Sequence, residues 1–127
     1  MRAQRHFPDE IVEILHTAKS LGIQAGSQGH RFIRIWVVVV EGRVFVRSWS
    51  LKPHGWYRAF LKEPTGIIKV DSREFPVRAV QTRSNRLKDA IDRAYLDKYG
   101  VPVSMKKYAL DLGRAESRAS TTELVPQ

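Results

Sequence analysis

Apolar residues recur at helical spacing over Ile11, Ile14, Leu15, Ala18 and Leu21, while Glu10, Glu13 and Lys19 lie off that stripe. The pattern predicts an amphipathic helix that opens after Pro8 and stops near Gly22. Gly22, Gly26 and Gly29 then break the periodicity, which predicts a loop. Residues 31–40 are rich in β-branched and aromatic side chains and apolar on both faces, the pattern of a buried central strand. Glu41 and Gly42 make a short turn, and residues 43–50 alternate strictly, so the two segments pair as a hairpin. Alternation sends Val44, Val46, Ser48 and Ser50 to one face and Arg43, Phe45, Arg47 and Trp49 to the other.

Residues 52–55 turn a corner, and residues 56–63 read as a short helix with Phe60 and Leu61 inward and Pro64 as its stop. A second strand–turn–strand unit covers residues 66–70 and 73–81 around Asp71 and Ser72; Pro76 inside it predicts an edge strand or a bulge. Ser84 or Asn85 caps a long helix that carries Leu87, Ile91, Ala94, Tyr95 and the Lys98 stem on one side and ends at Gly100. Residues 104–116 are polar without clear periodicity, and residues 118–125 are β-prone and close the sheet. The order predicts an α+β chain, mainly antiparallel β, with at least five strands closing as a small barrel under flanking helices. With 127 residues, it is expected to form one domain over residues 1–127.

Charge narrows the choice of partner. The chain has 22 Lys and Arg against 13 Asp and Glu, a net charge of +9, which suggests nucleic acid, an anionic surface or an anionic ligand. The excess is spread along the chain and forms no basic tail, so it fits a solvated surface with one anion pocket better than a nucleic-acid stripe. The absence of Cys excludes disulfides, thiol catalysis and Cys-ligated metal. The longest apolar run, residues 35–40, is far too short to span a bilayer, and the N-terminus lacks the apolar core of a secretory signal; the expectation is a soluble, cytoplasmic protein without a membrane partner.

Residues 36–49, followed by residues 54–64 with Trp56 and Tyr57 before Pro64, and then by residues 68–79, resemble the split-barrel flavin-binding superfamily. More narrowly they are similar to its deazaflavin-dependent nitroreductase-like branch and to an uncharacterised bacterial family close to it. The sequence departs from the branch in having Pro53-His54-Gly55 before Trp56, where the branch has His-Pro, and Ala59 where Asn is common. Gly26-Ser27-Gln28-Gly29 also replaces the basic phosphate loop of the better-known deazaflavin enzymes.

The resemblance implies an FMN-binding split-barrel-like fold, a homodimer, and a flavin-type cofactor, FMN or deazaflavin. Any activity would be two-electron, hydride-type reduction of a small organic acceptor. Such a cofactor needs cationic and hydroxyl donors for its phosphate and an aromatic wall for its ring. Arg47, Ser48, Ser50 and Lys52 are the expected phosphate contacts, Trp49 and Trp56 the expected ring wall, and Tyr57 and Arg58 lie on the adjoining helix. On this reading Arg47→Ala weakens cofactor retention and leaves the fold intact.

Each of these residues also has an ordinary structural role open to it. Arg47, Lys52 and Arg58 suit a solvated surface, Ser48 and Ser50 a satisfied barrel rim, and Trp49 and Trp56 packing or a subunit contact. Asp89, Asp92 and Asp97 read as the solvated face of the long helix. No catalytic residue and no metal site is indicated: the four histidines lack ligand spacing, and Ser50, His54 and Asp71 lack a nucleophile turn. Two other functions stay open. One is a non-catalytic module that binds an anionic ligand or a protein on the Phe45/Arg47/Trp49 face; the other is sequence-independent nucleic-acid binding.

Overall fold

A computed structural model of the chain describes residues 6–26, 31–49, 55–100 and 103–127. Helix α1 (Asp9–Thr17) leads into strands β1 (Leu21–Ala25), β2 (Ile33–Ile35), β3 (Val38–Val40) and β4 (Arg43–Val46). Helix α2 (Trp56–Lys62), strands β5 (Thr65–Val70) and β6 (Arg73–Gln81), helices α3 (Asn85–Tyr99), α4 (Val103–Asp111) and α5 (Ala115–Ala119), and strand β7 (Thr122–Pro126) follow. All strand pairings are antiparallel, in the order β2-β1-β5-β6-β7-β4-β3.

That order forces the sheet to curl. Laid flat, its edge strands β2 and β3 would stand about 29 Å apart, six inter-strand spacings. Yet only Trp36 and Val37 separate them in the chain, a link that reaches at most about 11 Å. The sheet therefore bends round on itself into a curled half-barrel, which agrees with the expected split-barrel class. Its inner face and the helices α1 and α2 enclose a core that includes Leu15, Ile23, Val46, Phe60, Ile68 and Val77, all 0–1% exposed. A second core lies on the outer side of the β3–β4 hairpin, where Val38 and Phe45 pack under Leu87, Ile91 and Tyr95 of α3 and Ala109 and Leu112 near the end of α4.

The curl also explains where the sequence reading fails. Residues 31–40 are not one central strand but two edge strands at opposite margins, joined by a bend. At the bend Val37 is fully buried and its peptide groups leave the ladder for α3. Its N–H donates to the Tyr99 hydroxyl at 3.1 Å, and its carbonyl accepts from Lys98 Nζ at 2.8 Å. Trp36 stacks on Tyr99 with ring centroids 4.1 Å apart. The expected loop after Gly22 contains β1, whose Leu21, Ile23 and Ala25 alternate inward.

Residues 104–116, expected to lack periodicity, fall mostly in α4 and α5, and α5 also takes Arg118 and Ala119, expected at the start of the last strand. Pro76 lies on an interior strand. A residue's nitrogen and carbonyl face the same neighbour, and Pro76 faces β7 where that strand has run out: its carbonyl accepts from Gln127 N at 3.0 Å. Leu61 is 48% exposed rather than inward. Both hairpin turns form as expected, with positive φ at Glu41, Gly42, Asp71 and Ser72, and Ser84 caps α3 by accepting from Leu87 N at 3.2 Å.

Lys98 gives the bend a pH signature. Burial without an ion-pair partner among the described residues pushes its pKa from 10.5 down to about 8, although its Nζ also reaches the Leu15 carbonyl at 3.1 Å. Between pH 8 and 10 the unfolded chain holds more protons at this position than the folded one, so stability rises with pH across that window. Above pH 10 the trend reverses. Burial raises Tyr99 to about 12 and also raises Tyr95, so tyrosines of the unfolded chain ionise first. The urea midpoint is expected to rise between pH 8 and 9.5 by an amount worth of order 1 kcal/mol, allowing for solvent screening of a half-exposed group. Lys98→Met should remove that rise. A rise of equal size in both proteins would assign it elsewhere.

Candidate functional site

Alternation along β4 turns Phe45 and Arg47 toward α3, as expected, but the face they share is covered by helices rather than open. The Arg47 side chain has no exposed area. Its Nε donates to Thr121 Oγ1 at 2.9 Å, NH1 to the Leu112 carbonyl at 2.8 Å and to Asp92 Oδ1, and NH2 to the Lys88 carbonyl at 3.0 Å. Its guanidinium carbon also sits 5.8 Å from the Tyr95 ring centroid. With all three nitrogens engaged inside the protein, Arg47 ties β4 to α3, to the end of α4 and to the approach to β7. Arg47, expected to contact a ligand phosphate, turns its guanidinium to these protein acceptors.

Asp92, expected on a solvated face, is the hub of this network. Its second oxygen accepts from Arg118 at 2.6 Å, and Arg118 also reaches Asp89 at 2.8 Å.

Ser48 is buried beside Arg47, and its N–H donates to Ser120 Oγ at 2.8 Å. Ser117 Oγ donates to the Trp49 carbonyl at 3.3 Å. These bonds hold the end of the strand and leave the Trp49 side chain 50% exposed, with its ring centroid 5.5 Å from that of Tyr108, itself 44% exposed.

Between β2, the bend and α4 lies a cleft of about 340 Å³ lined by Arg34, Ile35, Trp36, Arg47, Trp49, Met105, Tyr108 and Leu112. Two indoles, a phenol and a thioether are part of its wall. The described lining contains no carboxylate and no imidazole, so it favours a flat apolar ring over a substrate that needs a protein acid or base. Arg34 also lines a second, larger concavity of about 600 Å³ on the outer face of β1, β2 and β5.

Of the residues expected to meet a cofactor, the structure brings Arg47 and Trp49 to the cleft. Trp56 lies instead in the barrel core, edge-on to Tyr57 and Phe60. Tyr57 is half-buried and its hydroxyl approaches the Ala119 carbonyl at 3.5 Å, while Arg58 is exposed. Ser50, Lys52 and His54 lie outside the described residues.

Sequence reading missed Trp36, Met105, Tyr108 and Leu112. Trp36 was absorbed into the valine run. The other three recur at i, i+3 and i+7, a helical stripe inside a segment too polar overall to look amphipathic.

The family model described as "Uncharacterized protein conserved in bacteria (DUF2255)" matches residues 12–124. No curated protein matches the sequence. Among solved structures, the chain is similar to the conserved hypothetical protein Rv2991 from Mycobacterium tuberculosis, with 12% identity and a TM-score of 0.60 over 98% of this chain and 82% of that one. It is also similar to an F420 reductase, with 14% identity and a TM-score of 0.54 over 95% and 96% of the two chains. At such identities the likeness is one of fold. Among the described residues, no helix is long and apolar enough to cross a membrane.

Proposed function

We propose a function for a chain that belongs to the DUF2255 family of proteins conserved in bacteria: it holds the ring of a flavin- or deazaflavin-type cofactor in the cleft between Trp36, Trp49 and Tyr108. The observation that carries this reading is the cleft itself, whose volume of about 340 Å³ falls in the range of small-molecule sites and whose lining includes the aromatic side chains of Trp36, Trp49 and Tyr108. The similarity of fold to an F420 reductase supports it.

Such a group, when bound, supplies hydride chemistry toward a small organic acceptor. The chain's own contribution is binding and orientation. Trp49, just past the end of β4, and Tyr108 of α4 form a contiguous aromatic surface for the ring, and Met105 and Leu112 keep water from its edge. Arg47 acts one step removed, by tying the segment that carries Trp49 to the end of the helix that carries Met105 and Tyr108. Trp56, Tyr57 and Arg58 have no part in the proposal.

Trp49→Ala is expected to weaken binding of FMN or a deazaflavin by about tenfold, since one aromatic stack contributes on the order of 1 kcal/mol or more. Its half-exposed position predicts an unchanged thermal midpoint. Equal affinity in the two proteins, read from the visible spectrum of the bound ring, would remove Trp49 from the site.

A further inference from the structure

The larger concavity has a floor without a side chain. Gly22 of β1 pairs with Arg34 on one side and with Lys69 on the other. Residues paired across antiparallel strands project to the same face, so Arg34 and Lys69 rise from the two strands that flank Gly22, with Phe32 beside it. Lys19 and Ser20, in the turn from α1, stand at one end, and Phe32 forms a wall. Lys19 is held in place through its carbonyl, which accepts from the Tyr99 hydroxyl at 2.8 Å.

Among the described residues Lys19, Arg34 and Lys69 make no ion pair. Arg34 donates through Nε to Ser20 Oγ at 3.2 Å, and Lys69 Nζ sits 5.8 Å from the Phe32 ring centroid. The acids nearby are Asp71, on the rim, and Glu74, which pairs with Lys69 across β5 and β6; neither is within ion-pair distance of Lys69.

From this arrangement we infer that the groove floored by Gly22 binds a small ligand carrying two or more phosphate or carboxylate groups. Two inter-strand spacings separate Arg34 from Lys69, about 10 Å at the backbone. Long side chains rising from points so far apart converge on a spread of negative charge more readily than on a single compact ion. A guanidinium and two ammonium groups are the donors that phosphate and carboxylate oxygens take. The site does not depend on the cofactor reading. Because Arg34 borders both concavities, an anion held here lies beside whatever occupies the aromatic cleft.

The test uses pyrophosphate as probe, with tricarballylate as its carboxylate counterpart, titrated calorimetrically into the full-length protein without flavin. Saturable 1:1 binding of pyrophosphate is expected, weakened about tenfold or more in Lys69→Gln through loss of a charge-assisted contact. It should also be lost in Gly22→Val. A Cβ at Gly22 would meet Phe32 and Lys69 at 3.4–3.5 Å, ordinary contact distances, and the two methyl groups that valine carries beyond it fill the floor. Urea denaturation confirms that each variant is folded.

Lys106→Gln, an exposed cation on α4, serves as the control for bulk charge. No binding of either probe, equal loss in Lys106→Gln and Lys69→Gln, or full binding in a folded Gly22→Val would overturn the site. Competition separates its sources. FMN displacing pyrophosphate while riboflavin does not would assign the groove to a cofactor phosphate; displacement by neither would assign it to a separate anion.

Discussion

Arg47→Met is expected to lower folding stability by about 3 kcal/mol or more, the usual cost of removing one partner from a buried, hydrogen-bonded charge pair. Methionine matches the stem of Arg47 but none of its donors. The Leu112 and Lys88 carbonyls, Thr121 Oγ1 and one oxygen of Asp92 would all lose the arginine donor together. Asp92 keeps Arg118, and its side chain is 30% exposed, which limits the loss. Urea denaturation measures the effect directly. A variant that stays as stable as the parent but no longer binds an anion would return Arg47 to the role its sequence neighbourhood suggests, and would contradict the network described here.

Gly66→Ala is expected to destabilise by a comparable amount, about 3 kcal/mol, at the upper end for overpacking. A Cβ there would lie 2.3 Å from the Gln24 carbonyl oxygen and 2.9 Å from Phe60, so either the β1–β5 pairing or the seat of α2 must move. Gly22, on the neighbouring strand, is the internal comparison, since an added Cβ meets only ordinary contacts. Gly22→Ala should therefore leave the thermal midpoint nearly unchanged while Gly66→Ala lowers it by several degrees or more. Similar midpoints for the two variants would contradict the packing of β1 between β2 and β5.

Most of what was legible in the sequence is local. The two hairpins follow from turn residues that accept positive φ, at Glu41-Gly42 and Asp71-Ser72, and α3 follows from its cap at Ser84 and its apolar stripe. The face that Phe45 and Arg47 share was legible too, because alternation is a property of the strand alone. What covers that face was not. The same Arg next to aromatic residues would suit an open cleft or a buried clamp, and only the placement of α3 and the turn after α4 decides between them.

The division of residues 31–40 between opposite sheet edges is likewise a property of the whole curled sheet. Nothing within those ten residues distinguishes it from a continuous strand except the two-residue interval that α3 happens to grip. In contrast, β1 was present as a period-two pattern, Leu21, Ile23 and Ala25, hidden by Gly22 and Gly26. For the site, Trp49 was legible from strand alternation beside its basic neighbours. The rest of the cleft was not, because Met105 and Tyr108 come from a helix whose composition masks its stripe.

We propose that the cleft between Trp36, Trp49 and Tyr108 takes a flavin-type ring. Titrating a deazaflavin, and separately FMN, into the purified protein while recording tryptophan emission and the visible band of the ligand tests it most directly. The account predicts saturable 1:1 quenching of tryptophan emission with a matching shift of the ligand band for at least one of the two. Emission and spectra that stay additive throughout both titrations would contradict it.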